Sequence, residues 1–178
     1  LKLQLPVVGG AWLGDIFYSE HPQYYGLSGN AGARGGNFIL QNSDCILVLG
    51  NSLSYKQTGY DLDSFAPHAH IIMVDVDENE YLKLGKKVNT FLHCDLKEFL
   101  SMFEEVCDTH ISAPKDWRVY CNRVKETFSP FEGKQTAQGN TRVNKYIFWE
   151  TFLEYMPENT LLALGNSSVA MGANQIGR

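Results

Sequence analysis

A run of glycines and three carboxylates are the residues best suited to chemistry in this chain. Gly26, Gly29 and Gly32 are spaced by three in GLSGNAGARGG, with Gly35 and Gly36 following. Lacking a Cβ, such residues let the backbone approach a ligand closely. A helix starting just after them would offer unpaired N–H groups and the positive end of its dipole to a phosphate. The run also fits a tight loop that only packs a helix on a sheet. The dinucleotide fingerprint is GxGxxG directly after a strand, and the segment before this run, Ser19 to Tyr25, reads as polar. Both readings stay open. Asp75 and Asp77 follow the apolar run IIMV, where a dinucleotide-binding unit sets a carboxylate against a ribose hydroxyl. For Asp77 the favoured reading is a helix cap, with Glu80 aiding the first turn. Asp95, after TFLHC, has the same two readings, ligand edge or helix cap.

The other reactive residue types assemble no catalytic set. His68 and His70 form an HxH pair while His21 and His93 stand alone. Zinc takes three or four ligands, and spacing suggests no third, so no metal is expected. Cys45, Cys94, Cys107 and Cys121 lie too far apart for a CxxC pair, and three sit in apolar-rich runs, which predicts buried free thiols. GxSxG, Walker and HExxH motifs are absent.

The elements that must position these residues follow from hydrophobic patterning. Short apolar runs at Leu5 to Val8, Cys45 to Leu49, Ile71 to Val76, Thr90 to His93 and Leu161 to Leu164 read as strands. They lack polar alternation, which implies burial on both faces, as in a parallel sheet covered by helices. Helical segments are expected at Ala33 to Asn42, Glu78 to Leu84, Leu96 to Cys107, Trp117 to Phe128 and Asn144 to Tyr155. The alternation predicts an α/β fold, a doubly wound parallel sheet flanked by helices. Ser129 to Arg142 is polar, carries Pro130, Gly133 and Gly139, and has no hydrophobic period, so it reads as a linker. The aromatic helix after it, with Tyr146, Phe148, Trp149, Phe152 and Tyr155, reads as a packing face rather than a platform for bases.

Composition narrows the partners. Hydrophobic residues at 44% and charged residues at 20% are ordinary globular usage, which excludes a disordered chain. A net charge of -5 gives no drive toward phosphate backbones, so nucleic acid is not an expected partner. No run reaches the roughly 20 apolar residues of a membrane span, and no signal peptide is evident; no membrane partner is expected, and the cytoplasm is the expected compartment.

Three blocks, taken in order, add a resemblance. HPQYYGLSGNAG, then NSDCILVLGNSLSYKQTGYDLDSFAPHAHIIMVDVDENEYLK, then VNTFLHCDLKEFL resemble the central domain of the acetolactate synthase-like family of thiamine-diphosphate-dependent enzymes. Family members read approximately HPxxxGxxGxxG, an aspartate-led strand ending LGxR, TG, FAPxAxIIHVDIDxxExxK and a later strand-end Asp. The resemblance implies a Rossmann-like domain that holds FAD or ADP in some members and is only a spacer in many others. It leaves Gly29, Gly32, Asp75 and Asp95 as the candidates for a nucleotide. Flavin-binding members carry GxRFDDRVTG, whereas Ser52 stands at the arginine position here and Lys56 at the second basic position. Neither reproduces the bidentate guanidinium fork, so FAD is not expected.

The tail NKYIFWETFLEYMPENTLLALGNSSVAMGANQIGR resembles the opening of the diphosphate-binding domain. Ser167 matches the serine of a GNS loop that faces the active site in one relative, while Met171 meets the arginine of that relative. The resemblance implies a central domain at 1–130, a linker at 131–142 and a truncated start of the diphosphate-binding domain at 143–178. It also implies that the ring-activating glutamate and the GDG-to-N motif for Mg²⁺ and diphosphate lie outside the chain. The parent would then act on a 2-oxo acid, and its pyrimidine- and diphosphate-binding domains would be this chain's partners, with a homo-oligomer expected through the aromatic helix. The alternatives are a free-standing ADP-, FAD- or NAD-binding module and a structural interaction domain. On the leading reading, calorimetric titration of the chain with thiamine diphosphate and Mg²⁺ gives no binding signal; saturable micromolar binding refutes it.

Overall fold

The computed structural model describes residues 3–10, 13, 17–107, 112–128 and 143–176. The expected linker at 131–142 lies outside them. In chain order the elements are β1 (Val7–Gly9), β2 (Tyr24–Leu27), α1 (Arg34–Gln41), β3 (Cys45–Leu49), α2 (Tyr55–Thr58), β4 (His70–Asp75) and α3 (Glu78–Leu82). A 3₁₀ turn at Gly85–Lys87 precedes β5 (Thr90–His93), α4 (Leu96–Val106), α5 (Lys115–Thr127), α6 (Lys145–Tyr155) and α7 (Ser168–Ile176). Among the described residues every strand pairing is parallel, β1 with β2 in one sheet and β3-β4-β5 in the other. Parallel neighbours need crossover connections; helices supply those from β3 to β4 and from β4 to β5, and the chain has the expected α/β, Rossmann-like architecture.

The strands at Cys45–Leu49 and Thr90–His93 stand where the apolar runs place them, while β1 is shifted toward the glycines that follow it. Within the three-stranded sheet, burial on both faces holds only for the central strand. In β4, Ile71, Met73 and Val74 are fully buried. In β5, at the edge of the sheet among the described residues, three of four residues are exposed. Ile71 and Met73 join Ile46, Val48, Leu53, Phe65, Leu84 and Val88 in the main core. Tyr25, Ile39, Cys121 and Val124 form a second cluster where α1 packs on α5 and against the first sheet.

Two expectations fail. No strand forms at Leu161 to Leu164; Leu161 is 97% exposed, and with no neighbouring strand among the described residues the apolar run has no ladder to join. The cysteines are free, but Cys121 alone is buried, and Cys45 at the start of β3 is exposed. Burial pushes the Cys121 thiol up to about 11, which leaves it an inert packing group.

The join between α5 and β2 rests on a contact that hydrophobic patterning does not show. Lys125 Nζ donates to the carbonyls of Ser19 at 3.3 Å, His21 at 3.2 Å and Tyr24 at 2.7 Å, and its ammonium lies 5.7 Å from the Tyr25 ring centroid. One cation thus reaches three carbonyls, those of Ser19 and His21 in the irregular segment before β2 and that of Tyr24 at its first residue. Partial burial lowers its pKa, partly offset by Glu20. Charge-assisted hydrogen bonds of this kind are worth about 1.5–3 kcal/mol where well shielded, so Lys125→Met costs about 2 kcal/mol. Urea unfolding should show it as a lower midpoint at unchanged slope.

Candidate functional site

In doubly wound sheets the carboxyl ends of the strands form the ligand crevice. Here the ends of β1, β2 and β3 meet at Gly9 and Gly10, Ser28 and Gly29, and Gly50 and Asn51. β2 hands directly to the glycine run, because Tyr24, Tyr25 and Leu27 are buried and continue the first sheet. The strand–loop–helix order of a dinucleotide turn is therefore present, contrary to the reading of Ser19 to Tyr25 as merely polar.

The loop's own hydrogen bonds decide what it can do. Ser28 N donates to Gly9 O at 2.8 Å, Asn30 N to Lys56 O at 2.8 Å, Gly32 N to Gly29 O at 3.1 Å and Ala33 N to Leu27 O at 2.9 Å. Asn37, one turn into α1, holds Gly29 from both sides: its Oδ1 accepts from Gly29 N at 2.7 Å and its Nδ2 donates to Gly29 O at 3.0 Å. Each of these amides already has an acceptor within the protein. Gly29 has φ +94°, a conformation closed to most side chains, and a Cβ there would lie 2.6 Å from Lys56 O. Gly32 turns so sharply that a Cβ would meet Leu27 O at 2.4 Å.

The carboxylates are likewise engaged locally. Asp75 Oδ1 accepts from Asp77 N at 3.0 Å. Asp77 caps α3 by accepting from Asn79 N at 2.9 Å, and that bond, with the Asn79 side chain, holds its carboxyl below the usual aspartate range. Asp95 caps α4 through Lys97 N at 2.8 Å and Glu98 N at 3.4 Å. His93 Nε2 lies 2.8 Å from Val76 O, and His70 Nε2 3.3 Å from Thr90 Oγ1. Among the described residues no group of three or more His, Cys, Asp or Glu is placed to hold a metal ion. They therefore offer no fit to Mg²⁺ and a diphosphate.

A cleft of about 390 Å³ opens beside the loop, lined by Gly29, Asn37, Gln41, Lys56, Phe65 and the stacked pair Tyr55 and Tyr60, among others. Of the sequence candidates only Gly29 lines it; Gly32, Asp75 and Asp95 do not. Ser167 lies on the tail, exposed, with its Oγ accepting from Val169 N at 3.2 Å at the start of α7. Sequence reasoning missed Ser28, Asn51 and Gln57. Ser28 Oγ donates to Gly9 O at 3.1 Å and accepts from Gln57 Nε2 at 3.3 Å, while Asn51 Oδ1 accepts from Leu53 N at 2.9 Å. The two glycines ending β1 were the available signal, since close backbone approach there needs something to approach.

The tail reaches the loop as well. Gln175 Nε2 donates to Ala31 O at 2.9 Å and Gly32 O at 3.1 Å, and Tyr146 OH donates to Gln175 Oε1 at 2.9 Å. Trp149 is buried against Ala173 and Ile176 with its Nε1 donating to Val169 O at 2.7 Å, so it is withdrawn from the outward aromatic face; Phe148, Phe152 and Tyr155 remain exposed.

Gly32→Ala forces a methyl group against main-chain atoms that cannot rotate away and should cost at least about 2 kcal/mol. Gly165→Ala, with nothing within 4 Å of the added methyl, should stay within about 0.5 kcal/mol. Thermal unfolding of the two variants side by side tests the contrast.

The comparisons with known proteins fall on the same segment. The pattern of the thiamine pyrophosphate enzyme, central domain, matches residues 1–103. The chain is 29% identical over 111 residues to the acetolactate synthase isozyme 2 large subunit of Escherichia coli, covering 62% of this chain and 19% of that protein. It is 30% identical over 174 residues to the acetolactate synthase large subunit of Corynebacterium glutamicum, covering 96% of this chain and 27% of that one. A probable acetolactate synthase large subunit of Methanococcus aeolicus is 39% identical over 87 residues, 49% of this chain and 14% of that protein. The chain thus spans at most about a quarter of these relatives' length. With parallel strands, helical crossovers and a glycine turn all lying within the matched residues, the chain belongs to the thiamine pyrophosphate enzyme family, and residues 1–103 correspond to its central domain.

Proposed function

We propose that this chain is the framework portion of a thiamine-diphosphate-dependent carboligase or decarboxylase of the acetolactate synthase type, acting on a 2-oxo acid and inactive by itself. Its domains are the central one at 1–130 and the opening of the diphosphate-binding domain at 143–178. The observation that carries this reading is the match of residues 1–103 to the family's central domain, continued at 30% identity through the tail in the Corynebacterium relative. The cofactor, when bound in the complete enzyme, supplies the electron sink for decarboxylation and carbon–carbon bond formation. The described residues offer no donor set for it, and no step of that chemistry is assigned to them. What they do is hold position: the central sheet carries α7, and with it the Ser167 loop, through the Gln175 contacts at Ala31 and Gly32.

The exposed Phe148, Phe152 and Tyr155 face of α6 supports contact with the remainder of the parent or with a second copy. A free-standing nucleotide module is the second reading; the strand-to-glycine-loop order favours it, and the internally engaged amides of the loop weigh against it.

The open reading frame around this sequence tests the proposal. An upstream domain with a ring-activating glutamate and a downstream GDG-to-N motif are expected, and the complete protein should release CO₂ from a 2-oxo acid in the presence of thiamine diphosphate and Mg²⁺. A frame lacking both motifs refutes it.

A further inference from the structure

The reading as a central domain leaves open what the strand-end crevice is for, and the inference here rests on that reading. We infer that α2 and the loop before it are a built-in plug: Asn51 and Gln57 fill the place where a dinucleotide's phosphates would lie, so the domain completes its own crevice and needs no nucleotide.

Three observations converge on the plug. First, the space above the end of β1 is taken. A methyl group on Gly10 would lie 2.8 Å from Asn51 Nδ2 and 3.2 Å from Gln57 Nε2, so these two amides occupy the ground that a glycine at a strand end leaves for a ligand. Second, the polar groups that would greet a phosphate are spent on protein. Gln57 Nε2 donates to the buried Ser28 Oγ, Ser28 Oγ donates on to Gly9 O, and Asn30 N donates to Lys56 O, the carbonyl of the residue beside Gln57. A carbonyl at the mouth of the loop also presents negative charge where a phosphate would need positive. Third, the backbone of the plug is held in a costly shape. Leu53, buried, takes φ +42°, and Asn51 Oδ1 fixes the turn by accepting from Leu53 N at 2.9 Å. Strain of this kind persists where surrounding contacts over-determine it, and here the contact it secures is the approach of α2 to the glycine loop. Gly29, with its absent Cβ only 2.6 Å from Lys56 O and 3.0 Å from Gln57 Cα, provides the room for that approach. The glycines thus admit a segment of the same chain rather than a ligand.

The test uses the chain as it stands, with FAD, ADP and NAD each added separately at millimolar concentration. Thermal unfolding is expected to show no shift with any of the three. Hydrogen exchange of the amides of Ser28, Gly29, Asn30, Gly32 and Ala33 is expected to be slow without nucleotide and unchanged by it. Asn51→Ala and Gln57→Ala should lower the melting temperature by several degrees, while Leu161→Ala, at a residue 97% exposed and away from the cleft, should not. A saturable rise in melting temperature with any of the nucleotides overturns the inference. So do loop amides that exchange freely until nucleotide is added, and so does a melting temperature indifferent to both amide substitutions. If either variant fails to fold, the exchange measurement on the unaltered chain still decides. A nucleotide-dependent result would leave the family assignment untouched, since that rests on residues 1–103 as a whole.

Discussion

The main chain from Leu27 to Ala33 must turn from a buried strand into a helix while the amides of Ser28, Gly29, Asn30, Gly32 and Ala33 find acceptors in the protein, and much of the molecule is arranged around that requirement. Asn37 reaches back from α1 to hold Gly29 on both its N–H and its C=O, Lys56 lends a carbonyl to Asn30, and Gln175 of the tail caps the carbonyls of Ala31 and Gly32. These three partners stand far apart in sequence. Their common target fixes α1, α2 and α7 around one loop, which is a stronger constraint than any single apolar contact could impose, because hydrogen bonds specify direction as well as proximity.

Much of this architecture was legible beforehand, and the rest was hidden for physical reasons. β3 and β5 are apolar runs between turn residues, and Asp77 and Asp95 stand one position before helices, so patterning and capping rules find them. β2 was not legible because Tyr24 and Tyr25 present polar atoms in sequence yet bury their rings, and the strand has only four residues. α2 is a single turn of YKQT, too short for any period to register. Leu161 to Leu164 erred in the other direction: apolar composition marks a segment that could be a strand, but only a neighbouring strand makes it one. The site itself was half legible. Glycine spacing located the loop, yet whether its amides face a ligand or the chain depends on Asn37, Lys56 and Gln57, whose side chains or carbonyls become relevant only once the fold brings them there.

The buried ionisable groups around α5 act in opposite senses. Cys121 has its pKa raised by burial from the ordinary 9.0 to about 11. Its contribution is therefore complete below pH 9 and is withdrawn as the pH climbs toward 11, where the unfolded thiol ionises first. Lys125 is lowered by desolvation. Its desolvation cost is present throughout the neutral range and is relieved only as the pH rises through the lowered value toward 10.5. Near neutrality the helix therefore keeps a charged lysine at some cost, and the three carbonyls of Ser19, His21 and Tyr24 are what that charge serves. A neutral side chain would avoid the desolvation but give up three charge-assisted hydrogen bonds to Ser19, His21 and Tyr24, which is the larger loss.

The tail shows a different balance. Trp149, Ala173 and Ile176 form an apolar cluster of their own, separate from the cluster on β4 and the one between α1 and α5. Its tie to the glycine loop is polar instead, running from Tyr146 through Gln175 to two carbonyls. Apolar burial stabilises a unit internally without specifying direction, whereas a hydrogen-bonded tie orients one unit on another at modest net stability, as polar interfaces between domains do. The Gln175 contacts at Ala31 and Gly32 therefore set where α7, and Ser167 just before it, lie relative to the glycine loop, which the apolar cluster alone could not do.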